Sequence, residues 1–105
     1  MYARMSYWSC KPESWGDDAK LFEAAAVPIM RRHKGFVRAM LLGEEGGTGR
    51  IAFTVWTDSE AYNAFVRSPD LEKITVLFEH MYVDGKRPAP VKEYEVRAHG
   101  EAKRG

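Results

Sequence analysis

The sequence contains a single cysteine, Cys10, so no disulfide can close within the chain and no pair of thiols has metal-ligand or redox spacing. A reducing, cytoplasmic setting is expected. No apolar run reaches the roughly eighteen residues of a membrane span, and residues 1–10 alternate like a strand instead of pairing a basic segment with an apolar one. Neither a membrane association nor an export leader is expected. Charge of one sign is also lacking. Sixteen Lys and Arg stand against fifteen Asp and Glu for a formal charge of +1, without a long block of either sign that would mark a nucleic-acid or membrane-binding face. The three histidines show neither H-x-H nor H-E-x-x-H spacing and have no carboxylate cluster beside them, so no metal site is expected. No redox-cofactor motif is present, and none of the usual cofactors is expected. With 105 residues there is room for one domain, placed at residues 1–99 with a polar tail at 100–105, and 45% hydrophobic content is enough to build its core.

Tyr2 to Ser9 has the period of a strand, with Ala3, Met5 and Tyr7 on one side and Tyr2, Arg4, Ser6 and Trp8 on the other. Ser14 with Asp17 and Asp18 supplies an N-cap and acidic first turn for a helix that carries Leu21, Phe22, Ala25 and Ile29 on one stripe and runs to about His33. Pro28 predicts a kink inside it, and Gly35 suits a left-handed cap after the cations at 31–34. Residues 36–42 and 50–56 read as antiparallel strands joined by a glycine-rich loop. That loop lacks the Lys-Ser/Thr ending of a phosphate loop. Thr57 and Glu60 form a capping box for a short helix through Ala61, Tyr62, Phe65 and Val66, and Ser68-Pro69 restarts a helix through Leu71, Ile74 and Phe78. Residues 83–90 read as a loop and 91–99 as a fourth strand. The order βαββαβ predicts an α+β, ferredoxin-like domain with an antiparallel sheet and both helices on one face.

The two middle strands are apolar on both sides: Val37, Ala39 and Leu41 alternate with Phe36, Met40 and Leu42, and Ala52 and Trp56 with Ile51, Phe53 and Val55. Helices on one face leave the other to be covered by a second copy of the chain, so a homodimer is expected. The alternative is a monomer that tolerates small residues on a half-exposed face.

Several side chains are candidates for chemistry. Trp56, at the end of its strand, offers an aromatic face and an N–H donor, with core packing as the alternative. Tyr7, Tyr62 and Phe65 could add stacking surface around a planar ligand, although aromatics at this spacing also build cores. His33 lies about 50° from the centre of its helix stripe and is the candidate acid-base group, its position near a helix C-terminus favouring the imidazolium. His80 falls about 130° from its own stripe, toward water. Arg4 and Arg38 would bind an anionic substrate if they face the cleft, and solvation at the surface is the other reading.

The stretch Ile51-Ala-Phe-Thr-Val-Trp-Thr-Asp-Ser-Glu-Ala-Tyr-Asn-Ala-Phe-Val-Arg-Ser-Pro-Asp-Leu71, with the Lys34-Gly35-Phe36 entry to the second strand, resembles the central signature of antibiotic biosynthesis monooxygenase (ABM) domains of the dimeric α/β barrel superfamily. The resemblance implies paired sheets forming a barrel and a pocket between sheet and helices in each protomer. Known members include cofactor-independent oxygenases of aromatic polyketides, haem-degrading enzymes and proteins without assigned activity. The haem-degrading pattern of a first-strand Asn, a second-helix Trp and a His is absent: residues 1–10 contain no Asn, and the other two positions, counted from Trp56, fall on Phe65 and Thr75. What the resemblance implies is a cofactor-independent monooxygenase acting on a planar aromatic or quinol-like metabolite, with His33, Trp56 and Tyr62 as catalytic candidates and Tyr7 and Phe65 lining the pocket. A non-catalytic ligand-binding or interaction domain, or a non-oxidative cyclase or isomerase, fits the same scaffold.

Overall fold

The computed structural model describes residues 1–103; residues 104 and 105, at the end of the polar tail, lie outside the described residues. Four strands form one antiparallel sheet: β1 (Tyr2–Ser9), β2 (Phe36–Gly43), β3 (Gly49–Trp56) and β4 (Val91–Glu95), in the order β2-β3-β1-β4. Three helices cover one face. The first, α1, runs over residues 17–31, with α2 (Ser59–Arg67) and α3 (Pro69–Leu77) following β3. This is the ferredoxin-like α+β arrangement. β1 sits in the middle because it pairs with β3 along its whole length and with β4 from Tyr2 to Ser6.

Local chemistry explains most element ends, with corrections to the sequence-based boundaries. Gly16, not Ser14, stands at the N-cap of α1, and Ser14 lies in a preceding 3-10 turn, Pro12–Ser14. Asp18 takes over the capping role, its Oδ1 accepting from the backbone N–H of Gly16 and Ala19 at 3.0 and 2.8 Å. Within α1 the π-helical stretch Phe22–Ala26 precedes α-helical Val27–Arg31, where Pro28 occupies the first turn. A π turn holds an extra residue, so the buried stripe becomes Phe22, Ala26 and Met30 instead of the expected Leu21, Phe22, Ala25 and Ile29. For α2 the cap is Asp58 instead of Thr57: Asp58 Oδ1 accepts the N–H of Ala61 at 2.8 Å, while Thr57 is held by its own N–H donating to Gly35 O. Gly35 has φ +87, and a Cβ there would collide with Ala61 and Thr57, so this glycine permits the close approach of the β2 entry to α2. Ser68 ends α2 and caps α3, as Ser-Pro at that point predicts.

β4 stops at Glu95, short of His99, because β1 offers it partners only as far as Tyr2; a last backbone bond joins Val96 N–H to Met1 O. In β2 the register slips between Phe36, opposite Trp56, and Arg38, opposite Val55. Val37 is the bulged residue, and it rotates Phe36 onto the helix side, away from Met40 and Leu42 with which simple alternation groups it. The helix-facing side of the sheet therefore carries Tyr2, Arg4, Ser6 and Trp8 from β1 and Ala52, Thr54 and Trp56 from β3. The other side carries Met5, Tyr7, Ile51 and Phe53, flanked by Met40 and Leu42 at 41% exposure each and Tyr94 at 45%. Among the described residues no helix lies over that face, although Ala3 and Val55 at its far end are themselves buried.

The buried core lies between sheet and helices around Trp8, Phe22, Met30, Trp56, Phe65 and Phe78. Among the described residues no helix is long and apolar enough to cross a membrane. A second element ties the fold at its other end: Arg50 Nε donates to Asp18 Oδ2 at 2.7 Å, with both side chains almost fully buried, and Arg50 Nη1 donates to the carbonyls of Gly47 and Gly49. The Trp15 ring stacks over this guanidinium at 4.6 Å.

Candidate active site

A cavity of about 230 Å³ opens between the helix-facing side of the sheet and the helices. Its floor is polar, which is unusual beneath a helix layer: Arg4 and Ser6 of β1 lie beside Thr54 of β3, with Ala52 between them and the hairpin end. Aromatic walls rise from this floor, formed by Trp8, Phe22, Phe65 and Phe78. Leu71, Ile74 and Thr75 of α3 form the opposite side, and Glu72, Arg87 and Pro88 stand at the rim. An apolar, aromatic enclosure with a few convergent donors is the usual form of a small-molecule site.

The polar groups divide into those already occupied and those left open. On the helix side Thr75 Oγ1 donates to Leu71 O at 3.0 Å and the Tyr82 hydroxyl donates to Thr75 O at 3.2 Å. At the rim Glu72 accepts from Arg87, which also reaches Glu79 at 3.1 Å, and the Arg87 hydrogen bond holds the Glu72 carboxyl below its ordinary range. On the floor, Thr54 Oγ1 accepts the indole N–H of Trp56 at 3.1 Å, which leaves the Thr54 O–H to be donated. Arg4 Nε is closed off from solvent and has no hydrogen-bond partner among the described residues.

The five residues singled out from sequence are not gathered in this cavity. Phe65 lines it. Trp56 is fully buried one layer behind, stacked on Phe65 with ring centroids 4.8 Å apart and edge-on to Phe36. His33 meets Phe65 edge-on at 5.0 Å and Nε2 donates to Asp70 Oδ2 at 2.7 Å, so it clasps the start of α3. That bond keeps the Asp70 carboxyl below its usual range. Tyr62 is buried against Tyr2, and burial, aided by Glu93, pushes its phenol up to about 12. It stays neutral near pH 7. Tyr7 is on the opposite face of the sheet, in a groove of about 790 Å³ that it shares with Leu42, Ile51 and, around the sheet end, Trp8 and Arg50. The larger groove runs around the hairpin end of the sheet, whereas the smaller cavity lies between sheet and helices among aromatic side chains and is the stronger site. Sequence reasoning raised Arg4 but not Ser6, Thr54 or Trp8; the signal for them was their shared parity along β1 and β3.

Cys10 is fully buried in an isolated bridge with Tyr82, and burial pushes its thiol up, so it is no nucleophile at neutral pH. Among the described residues no three His, Cys, Asp or Glu side chains gather to hold a metal ion.

The model of the antibiotic biosynthesis monooxygenase family matches residues 1–75. The chain belongs to that family. Among solved structures it is similar to the ActVA-Orf6 monooxygenase of Streptomyces coelicolor, solved with nanaomycin D, at 14% identity and a TM-score of 0.77 over 97% of this chain and 92% of that one. It is also similar to SnoaB, a cofactor-independent oxygenase from Streptomyces nogalater, at 18% identity and a TM-score of 0.70 over 93% and 94% of the two chains. A third is NE2512 of Nitrosomonas europaea, a protein of unknown function, at 17% identity and a TM-score of 0.72 over 97% and 94%. At these identities the likeness is one of fold. No curated protein matches the chain.

Proposed function

We propose that the protein is a cofactor-independent monooxygenase of a planar aromatic, quinol-like metabolite, and that the cavity over Arg4, Ser6 and Thr54 is where it works. The observation that carries this reading is a cavity with aromatic walls whose unspent donors lie together on its floor, in a member of a monooxygenase family whose fold is shared by solved oxygenases. The reaction needs no external reductant. A ring methylene whose enol form is a phenol loses a proton to give a delocalised anion, whose carbon forms a C–O bond with dioxygen. The resulting hydroperoxide loses its second carbon-bound hydrogen as a proton while the O–O bond breaks. The carbon becomes a carbonyl and the other oxygen leaves as water. One ring methylene and one dioxygen thus give one ring carbonyl and one water, with all electrons supplied by the substrate. The protein contributes orientation, exclusion of water and donors for the developing oxyanion. Phe65 supplies a stacking face, Trp56 positions Thr54, and His33 and Tyr62 support the walls from behind.

Oxygen uptake by chelator-treated protein with a hydroxyanthrone tests this. The native protein should consume oxygen well above the heat-denatured control, and Thr54→Val should lower the rate about 10- to 100-fold with folding intact. Equal uptake by native and denatured protein would move the site to non-oxidative chemistry or simple binding.

The uncovered face of the sheet fits a second copy of the same chain. Two such faces of Met5, Met40, Leu42 and Phe53 packed together would complete a barrel and bury the apolar surface that each leaves open. Sedimentation velocity should give twice the 12.0 kDa chain mass, and Phe53→Glu should halve it. A wild-type monomer at micromolar concentration would remove the dimer from this account.

A further inference from the structure

The donors on the cavity floor carry more than a preference for flat rings. Arg4 stands in the middle of β1, opposite Thr54 on one side and Glu93 of β4 on the other. Glu93, on the exposed edge strand, and Arg4 both approach the Tyr62 hydroxyl, but among the described residues no carboxylate pairs directly with Arg4. The one carboxylate of the cavity wall, Glu72, is already neutralised at the rim by Arg87. The enclosure therefore holds a guanidinium whose Nε is shut away from water without an acceptor, next to a Thr54 hydroxyl whose oxygen is taken by Trp56. A buried donor left without a partner is unfavourable, and a cavity occupant with an acceptor oxygen relieves it. A charged acceptor relieves it most, because both charge attraction and the directed N–H bond strengthen away from water.

We propose that Arg4 is the anchor of this cavity and that its ligand is a planar hydroxyaromatic held as the oxyanion, the oxygen on Arg4 and Thr54 and the rings between Phe65, Phe78 and Trp8. The inference rests on the aromatic-substrate reading above and names the form in which the substrate sits. It also assigns the ionisation step. No side chain lining the cavity is a free base, so the substrate's own hydroxyl loses its proton to solvent and Arg4 holds the resulting anion. Arg4 is then a binding group that touches substrate, whereas Arg38 of β2 is on the uncovered face, opposite Val55, and has no part in it.

The test uses 4-nitro-1-naphthol, coloured as its anion, and 1-nitronaphthalene as a neutral counterpart of similar shape, each titrated into the full-length protein. Wild type should bind the naphtholate and shift the pH of its colour change downward relative to free probe. Arg4→Met should weaken naphtholate binding about 10- to 100-fold and remove the shift, leaving nitronaphthalene affinity within about twofold. Arg38→Met should change neither. If Arg4→Met does not fold, Arg4→Gln carries the comparison, since it keeps length and polarity but not charge. Equal weakening of both probes makes Arg4 a packing residue and overturns the proposal, as does naphtholate bound without a shift. Binding of neither probe overturns the aromatic pocket with it, whereas naphtholate binding without oxygen uptake on hydroxyanthrone leaves the anchor standing and removes only the oxygenase.

Discussion

Asp18→Ala should lower the free energy of unfolding by about 3–5 kcal/mol, enough to bring a small domain close to its stability limit. The reason is burial. Arg50 donates Nε to Asp18 across 2.7 Å with side-chain exposures of only 1% and 4%, so removing the carboxylate strands a guanidinium among Trp15, Leu41 and the hairpin backbone. The carboxylate also carries the first turn of α1 through its bonds to Gly16 and Ala19, so two losses add in one variant. Arg50 keeps its bonds to the carbonyls of Gly47 and Gly49, but its charge is uncompensated. The double variant Asp18→Leu/Arg50→Met should recover most of the loss, because an apolar pair of similar volume removes both desolvated charges. Urea unfolding of wild type and these variants measures this. A loss below about 1 kcal/mol in Asp18→Ala would place the pair with solvent-exposed ion pairs and leave the link between α1 and the hairpin without an energetic role.

This ion pair also marks where sequence reasoning runs out. Asp18 looks like an ordinary acidic residue in a first helical turn, and Arg50 like the first residue of a strand; nothing local says that residues 32 apart meet in the interior. Features that depend on neighbours along the chain were legible: the alternation of β1, the Ser68-Pro69 break between α2 and α3, and the positive φ of Gly35. Features that depend on a partner were not. The bulge at Val37 exists only relative to β3, and with it Phe36 changes face. The extra residue of the π stretch before Pro28 shifts the buried stripe of α1, although Pro28 itself announces a disturbance there.

The site was legible in the same uneven way. Phe65 falls on the cavity side of α2 because that helix is regular and its buried side follows from its period. Tyr7 and Trp8 are adjacent aromatics on opposite faces of β1, in a sheet that is apolar on both faces, so parity separates them without saying which belongs with the helices. The structure places Trp8 there and Tyr7 on the other side. Arg4 and Ser6 look like a solvated strand edge for the same reason. Only the helix layer above them turns two polar residues into the floor of a cavity.

Trp56→Ala should destabilise the protein by about 3–5 kcal/mol, the range for removing a fully buried large aromatic. The indole has no exposed surface, stacks on Phe65, meets Phe36 edge-on and donates to Thr54, so its removal opens a void where β3 meets α2. Trp56→Phe separates its two contributions. A phenyl ring keeps much of the packing, and its cost should be about 1–2 kcal/mol, but it cannot donate to Thr54. The Thr54 hydroxyl then loses the bond that orients it, and oxygen uptake per mole of folded protein should fall while 1-nitronaphthalene still binds. Urea unfolding and oxygen uptake on the same two variants give both readouts. Full oxygen uptake by folded Trp56→Phe would show that Thr54 needs no orienting partner. In that case Trp56 is core alone, and Arg4 is left as the principal fixed donor of the floor.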